Sequence, residues 1–207
     1  MTLIFFAMID KKELEEIKKI EGKARGALFR NDFDFVERKE GSEKMRILRK
    51  RMRELGCQEE EIYQNKVKNF SWYPLRCHVL FLAILHWEMS WTEDDIFNLG
   101  HHGPKASLIF KAFPKYVLDL EKVFSKSDMY WKKNYSPGSI RMEEFNHQEK
   151  YVVFRLDDFQ LHPLEFRAIS GYMVGMMNLL SKEKNVRVKR IKCRDKENCH
   201  KFMLTWD

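Results

Sequence analysis

The side chains best suited to chemistry in this sequence are four cysteines and seven histidines. His78 follows Cys77 directly, and His200 follows Cys199, which lies six residues after Cys193. Thiolates and imidazoles are zinc ligands, so these side chains together could form a zinc site. The C-x5-C spacing lacks the two-residue knuckle of a zinc ribbon, and buried cysteines, reduced or adjacent across a hairpin, are the favoured interpretation. We therefore predict no metal site.

Histidines also occur in two other contexts, neither of which is a recognisable catalytic motif. His78 and His86 lie eight residues apart in an apolar segment, which places them on one side of a helix after two turns. They could face a cavity, but a core histidine satisfied by one hydrogen bond is the favoured interpretation. A His-His-Gly-Pro stretch beginning at His101 is predicted to be a polar connector between helices. No nucleophile–base pair, glycine-rich phosphate loop or HExxH motif is recognisable, so we predict no catalytic residue and no enzyme.

Aromatic residues are abundant, with 16 Phe, 7 Tyr and 5 Trp, and many of them fall in the helix-rich part of the chain. Aromatic walls with a few polar groups suit a flat or hydrocarbon ligand, although ordinary core packing fits the pattern equally well. The residues that we predict to bind such a ligand are Trp72, Tyr73, His78, Phe81, His86, Trp87, Phe110, Phe113, Tyr116, Met173 and Met177.

The elements that must position these side chains begin with helices. Asp10 is a suitable N-cap, and apolar residues then recur at three- and four-residue spacing. Residues 75–89 are apolar on nearly every side, which predicts a central buried helix that is too short to span a bilayer. A short helix beginning near Thr92 is predicted to end at Gly100.

The end of the chain predicts strand, strand, helix, strand, strand. The helix carries Gly171 and Gly175 one turn apart, which suits either close packing inside the domain or a helix-to-helix contact in a homodimer. The predicted fold class is α+β, with a helical N-terminal layer packed on a small antiparallel sheet. We predict a single domain over residues 1–207, helix-rich over about 10–134 and α+β over about 135–207.

The composition limits the compartment and the partners. The net charge is +7, but basic and acidic residues are mixed along the chain, which favours a solvated surface over nucleic-acid binding. Four scattered cysteines are too few for a disulfide framework in a chain of this size, and no secretion signal is recognisable. We therefore expect a cytoplasmic protein without a membrane span.

The end of the chain also resembles the ligand-binding fold shared by 4-vinyl-reductase-type domains, transport-particle (TRAPP) subunits and heme nitric-oxide/oxygen sensors. The matching residues are Gly171, Gly175, Cys193, Cys199, Phe202 and Trp206. Residues 26–52 resemble the opening of the heme nitric-oxide domains and of a related group of uncharacterised bacterial proteins. Residues 71–85 and 96–103 resemble later helices of that bacterial group.

The resemblance implies a helical layer over a small antiparallel sheet, with an apolar cavity between them that in relatives holds heme, a fatty chain or an aromatic effector. Heme sensors of this type carry a proximal histidine on a helix and a Tyr-x-Ser-x-Arg element. Here the most similar segment runs from Tyr135 to Arg141, with a different spacing. Residues 105–131, where the resemblance would place the histidine, contain none. We therefore leave the cofactor open and do not expect heme.

These observations together predict a non-enzymatic binding or sensor domain for an apolar or aromatic small molecule, and a homodimer. The alternative is a protein–protein interaction scaffold without a ligand. A heme gas sensor and a nucleic-acid-binding protein are less favoured.

Overall fold

The computed structural model describes residues 9–106, 119–181, 185–193 and 198–207. The predicted cavity residues Phe110, Phe113 and Tyr116 lie outside the described residues. The described helices are α1 (Lys11–Lys18), α2 (Gly26–Glu40), α3 (Ser42–Glu54), α4 (Glu60–Tyr63), α5 (Leu75–Trp87), α6 (Glu93–Ala106), α7 (Leu120–Phe124), α8 (Ser127–Asn134) and α9 (Pro163–Leu180). The described strands are β1 (Lys23–Arg25), β2 (Trp72–Pro74), β3 (Ser139–Asn146), β4 (Tyr151–Asp157), β5 (Arg187–Ile191) and β6 (His200–Thr205).

Helix α5 is the central element of the helical layer. Its side chains from Cys77 to Leu85 are all buried, as the apolar sequence predicts for a helix surrounded by others. Helices α1, α3, α6 and α9 pack around it. No helix among the described residues combines the length and the apolar character needed to cross a membrane.

The main sheet has four strands in the order β3-β4-β6-β5, and every neighbouring pair is antiparallel. Phe154 of β4 is the register partner of Phe202 of β6, and both are buried. Phe166 of α9 stacks on Phe202 with 4.9 Å between ring centroids, so α9 covers this face of the sheet. The predicted α+β class and the strand, strand, helix, strand, strand order are confirmed. A separate two-stranded sheet pairs β1 with β2.

Helices α6 and α9 approach each other closely enough to require glycine on both sides. A Cβ atom at Gly171 would lie 1.9 Å from the carbonyl oxygen of Phe97, and one at Gly175 would lie 2.3 Å from that of His101. In the other direction, a Cβ at Gly100 would lie 1.9 Å from the carbonyl oxygen of Ala168. The two α9 glycines therefore serve packing inside this chain.

This contact also corrects the predicted helix end. Gly100 does not terminate a helix, because α6 continues through the His-His-Gly-Pro stretch to Ala106. The prediction took Gly100 for a terminating residue, whereas its missing side chain makes room for the backbone of α9. His101 accepts a hydrogen bond from Asn178 (Nδ2 to Nε2, 3.1 Å), and His102 accepts one from Arg38 (2.9 Å).

The four cysteines form two disulfides, although the sequence analysis took them as too few and too scattered for a disulfide framework and left open whether they are reduced. Cys57 is bonded to Cys77, with 5.4 Å between their Cα atoms, and Cys193 is bonded to Cys199, with 5.7 Å. The first pair joins residues 20 apart in sequence that only the packing of α5 brings together, which the sequence spacing does not reveal.

Candidate functional site

A cavity of about 610 Å³ lies between the helices and the main sheet. Helices α2, α5, α6, α8 and α9 contribute to its wall, together with α7 and strands β3 and β4. Much of this wall is apolar or aromatic. Its hydrophobic members include Leu28, Phe124, Trp131, Phe154, Ile169 and Met173.

The aromatic part of the wall is held by ring contacts among its own members. Trp131 stacks on Tyr135 with 4.3 Å between centroids, and Phe124 meets Phe154 edge to face at 5.2 Å. Trp131 also donates its indole N–H to the carbonyl oxygen of Pro137 (2.9 Å), which fixes the ring. The aromatic surface of the cavity is therefore rigidly supported.

Three titratable side chains from three helices meet at the inner end of the cavity: Asp32 of α2, His78 of α5 and Glu165 of α9. Their exposed fractions are 6%, 2% and 0%. His78 Nε2 donates a hydrogen bond to Asp32 Oδ2 at 2.8 Å, whereas His78 Nδ1 lies 3.8 Å from Glu165 Oε1, too far for a hydrogen bond. We call these three side chains the inner cluster.

The inner cluster is incompletely hydrogen-bonded. Neither carboxylate oxygen of Glu165 has a hydrogen-bond partner among the described residues, and neither does His78 Nδ1. Buried polar atoms in folded proteins are nearly always paired, and exceptions often mark a ligand or catalytic site. These orphaned atoms single out the inner cluster as the candidate binding site.

The pKa values of all three groups are raised, but for different reasons. Burial alone would lower the pKa of His78, but the Asp32 hydrogen bond and the negative charges of Asp32 and Glu165 raise it to about 9. Burial raises the pKa of Asp32 and of Glu165, and the imidazolium of His78 opposes this rise only in part. The cluster therefore holds its protons more tightly than the free side chains do.

The mouth of the cavity differs in charge from its inner end. Arg30, Asp34 and Lys133 border the cavity and are exposed, as is Phe70, whose side chain is 84% exposed. A ligand would enter between charged, solvated groups and reach a buried acidic end.

Of the eleven side chains predicted to bind a ligand, His78 and Met173 lie in the cavity wall. Their binding of a ligand stays a prediction. Met177 lies one turn further along α9, is fully buried, and is absent from the wall. Residues four apart lie on the same face of a helix, so Met177 shares the face of Met173 but packs into the hydrophobic core outside the described cavity wall.

Tyr73, Phe81 and Trp72 lie outside the described cavity wall. The Tyr73 hydroxyl accepts a hydrogen bond from the backbone N–H of Lys68 (3.0 Å), which anchors the segment that precedes β2. Phe81 packs on Phe33 inside the helical layer, with 5.1 Å between centroids. Trp72 carries a stacked arginine guanidinium 3.7 Å from its ring centroid.

His86 and Trp87 also lie away from the described wall. His86 Nδ1 donates to the carbonyl oxygen of Trp91 at 2.7 Å, which is the predicted alternative of a histidine satisfied by one hydrogen bond. Trp87 is 37% exposed and donates its indole N–H to Glu13 (3.0 Å) on the outer side of α5. The eight-residue spacing placed His78 and His86 on one side of α5, but the cavity extends along only part of that side.

Asp32 and Glu165 are the site residues that the sequence reasoning missed. A signal for each was present, because each carboxylate lies within an apolar stripe. Asp32 falls between Phe29 and Phe33 on the buried face of α2, and Glu165 precedes Ala168 by three residues on α9. A charged residue in such a stripe must be compensated after burial, which makes it a candidate site residue.

One other group of potential metal ligands lies close together among the described residues. Sulfur atoms of Cys57 and Cys77 lie 3.5 and 3.1 Å from a carboxylate oxygen of Glu59. The two sulfurs are bonded to each other, so they do not act as thiolate ligands in this state. His200, suggested as a zinc ligand partner, instead donates to the carbonyl oxygen of Phe159 at 2.9 Å.

Solved structures with the same arrangement of helices and sheet are H-NOX proteins. An H-NOX protein from K. algicida, in a mutant Fe(II) unliganded form, matches with a TM-score of 0.61 at 15% identity and covers 88% of this chain and 96% of its own. An H-NOX protein from S. oneidensis in the Fe(II)NO ligation state matches with a TM-score of 0.62 at 10% identity and covers 88% and 99%. The chain has an H-NOX-like fold. Neither a family model nor a curated protein matches the sequence.

Other matched structures are described by the distortion of their heme, and a heme in this cavity would need an iron ligand from its wall. A histidine that binds iron must offer a nitrogen lone pair. In the described wall the one histidine is His78, and both its nitrogens face carboxylates that raise its pKa to about 9, so it is protonated at neutral pH. Arg141 ends the segment that comes nearest to the Tyr-x-Ser-x-Arg element. Its guanidinium donates a hydrogen bond to Asp157 (2.6 Å). The described residues do not fit heme.

Proposed function

We propose that this chain is a non-enzymatic sensor domain that binds an apolar or aromatic small molecule in the cavity without using heme. The observation that carries the proposal is the cavity itself, about 610 Å³ and lined mainly by apolar and aromatic side chains with one buried polar end. Pockets of this size and character typically hold small organic ligands. Its position between helices and sheet is the one expected from the resemblance.

We exclude heme from the proposal because of the side chains that the cavity wall offers as iron ligands. The matched H-NOX proteins from S. oneidensis and K. algicida are described with Fe(II), but His78 of this chain is held as an imidazolium between Asp32 and Glu165. The fold is therefore proposed to serve a different ligand here.

The first test is native mass spectrometry with an absorbance scan of protein purified without denaturation. We expect an additional non-covalent mass on each chain and no Soret band. A Soret band would contradict the heme-free proposal. A chain that carries no extra mass and binds no apolar probe would favour the scaffold alternative.

A matched pair of methionine variants tests the place of binding. Prodan, a neutral aromatic fluorophore, serves as the probe, and its dissociation constant is measured by fluorescence titration. Met173→Ala removes contacts from the cavity wall and should weaken binding about fivefold, the effect of losing about 1 kcal/mol of apolar contact. Met177→Ala removes the same atoms one turn away, outside the wall, and should change the constant by less than about twofold.

The reverse order of effects in these two variants would place binding elsewhere on α9. Circular dichroism spectra and melting temperatures of both variants show whether each is folded before the constants are compared.

We further propose a cytoplasmic, homodimeric protein whose partner in function is the small molecule, with nucleic acid not favoured. Gly171 and Gly175 do not support the homodimer, because both pack against α6 of the same chain. Analytical ultracentrifugation tests the dimer. In a reducing compartment both cysteine pairs would be held as dithiols, which thiol labelling of freshly lysed cells would detect.

A further inference from the structure

The carboxylate of Glu165 is the least compensated polar group of the inner cluster. Its side chain is fully buried and faces the cavity, and both its oxygens lack hydrogen-bond donors among the described residues. A buried carboxylate without donors is costly, and the cost falls when donors arrive. Glu165 is thus arranged to accept hydrogen bonds from a group that enters the cavity.

The charges of the inner cluster do not balance. When all three groups are ionised, the carboxylates of Asp32 and Glu165 share a single imidazolium, which hydrogen-bonds only to Asp32. The cluster then carries one net negative charge in a buried setting. A ligand with one positive charge would neutralise it, whereas a neutral ligand would not.

Among the described residues, the cationic side chains of the cavity wall do not reach Glu165. Arg25 donates to the carbonyl oxygens of Lys133 (3.1 Å) and Phe70 (2.8 Å), near the mouth. Arg30 and Lys133 are exposed at the mouth. The inner end is therefore acidic, while the basic groups lie at the solvent end.

The aromatic wall is suited to a cation next to Glu165. Tyr135 lines the cavity, is 8% exposed, and stacks on Trp131. Burial, with added effects from the charges of Glu165 and Asp32, raises the pKa of Tyr135 well above its ordinary value, so the ring stays neutral. Faces of neutral aromatic rings attract cations, especially in a desolvated site.

We infer that the inner end of the cavity binds a protonated amine carried by an otherwise apolar ligand, with Glu165 accepting its N–H groups. This inference rests on the proposed function and names the chemical class of its ligand. The Asp32–His78 pair holds the adjoining wall and keeps His78 from satisfying Glu165. An ammonium group supplies several donors and the missing positive charge at once, which a hydroxyl does not.

A metal ion is a poorer occupant of this position. Among the described residues, the ligand atoms of Asp32, His78 and Glu165 do not converge as those of Cys57, Glu59 and Cys77 do. His78 also holds protons rather than lone pairs toward its neighbours at neutral pH.

Three probes with one apolar body test the inference on the natural chain. Isothermal titration at pH 7 compares 4-phenylbutylamine, 4-phenylbutan-1-ol and 4-phenylbutyrate. We expect the amine to bind at least about tenfold more tightly than the alcohol, and the carboxylate to bind most weakly, because charge-assisted hydrogen bonds exceed neutral ones.

Two variants locate the origin of this preference. Glu165→Gln keeps the shape but removes the charge, so the amine should lose its advantage of about tenfold while the alcohol changes by less than about twofold. Glu43→Gln is the control, since it removes a negative charge from the exposed surface of α3, outside the described cavity wall, and should change amine binding by less than about twofold.

The outcomes separate the two proposals. Equal binding of amine and alcohol to the natural chain, or an amine preference that survives Glu165→Gln, overturns the amine inference while the cavity function stands. Failure of prodan and all three probes to bind overturns the proposed function itself. Because the probe comparison is made on the natural chain, it does not depend on the folding of any variant.

Discussion

Two buried groups of charged side chains lie on either side of strand β4, and they are built in opposite ways. On the cavity side, Glu165 has no hydrogen-bond donor among the described residues. On the other side, both oxygens of Asp157 accept hydrogen bonds from Arg155 (2.9 and 3.0 Å), and one also accepts from Arg141 (2.6 Å). Phe154 lines the cavity and alternates with Arg155 and Asp157, which places this sheet cluster on the opposite face.

The pKa values of the carboxyl groups in the two clusters are also shifted in opposite directions. Burial raises the pKa of Glu165, and His78 offsets only part of the effect. Burial would also raise the pKa of Asp157, but the hydrogen bonds and charges of its two arginines outweigh burial and hold it below its ordinary value. Burial of a charge therefore does not by itself distinguish a site from a structural pair. The completeness of the hydrogen bonding does.

The largest effect is expected from breaking the sheet cluster. Asp157→Ala should lower the free energy of unfolding by about 4 kcal/mol, because it leaves the buried Arg155 guanidinium without its main partner. Urea denaturation measures the change. Prodan affinity under native conditions should stay the same, since the cavity lies on the other face.

An exposed ion pair provides the control for this variant. Glu43→Gln removes the partner of Arg46 on the surface of α3 and should leave the urea midpoint unchanged. A loss below about 1 kcal/mol for Asp157→Ala would mean that the sheet cluster is no more structural than a surface pair.

The next largest effect is a pH dependence of opposite sign for the two clusters. The pKa of His78 is about 9 in the folded chain and about 6.5 in an unfolded one, so its stabilisation is complete below about pH 6.5 and is lost as the pH rises through about 9. The raised pKa values of Asp32 and Glu165 act in the same direction at lower pH. Tyr135 does not titrate in this range, because its pKa lies well above its ordinary value.

We expect this alkaline loss to reach about 3 kcal/mol, since one pKa unit corresponds to about 1.4 kcal/mol. The sheet cluster behaves in the opposite way: its lowered pKa stabilises above about pH 4, and that stabilisation is lost as the pH falls through the folded pKa of Asp157. Unfolding free energies from pH 3 to pH 10 measure both limbs. A flat alkaline limb would show that His78 is not held as an imidazolium.

The smallest effect is a gain. Glu165→Gln should raise the free energy of unfolding of the ligand-free chain by about 1 kcal/mol, because an amide needs less compensation in a buried position than a carboxylate without donors. Chemical denaturation without ligand measures this change. A loss of stability of similar size would make Glu165 a structural residue like Asp157.

Much of the fold could be predicted because its elements carry their own signals. Helix α5 is apolar on all sides and is central, and the strand, strand, helix, strand, strand order follows from alternation and turn residues. The continuation of α6 past Gly100 could not be predicted, since a glycine needed for close approach to α9 looks the same in sequence as one that ends a helix.

The candidate site was less predictable than the fold. His78 and Met173 were named because histidine and methionine on apolar helices draw attention, whereas Asp32 and Glu165, although each lies in an apolar stripe, belong to residue types that usually face solvent. Only packing shows that α2, α5 and α9 bring these carboxylates to one histidine. The sequence analysis also named Tyr73 and Phe81 as cavity residues, because aromatic side chains suit a cavity wall. Both have equally good partners inside the helical layer, which the sequence does not reveal.

The glycine contact between α6 and α9 has a mechanical consequence. At Gly100, Gly171 and Gly175 the two helices meet backbone to backbone, so no side chain at these three positions can absorb sliding. We expect these two helices to move as one rigid unit, which keeps Glu165 and Met173 in fixed positions in the cavity wall. Ligands of different width would then be accommodated by displacement of the cavity wall opposite α6 and α9. That displacement is the step at which ligand binding would be converted into motion.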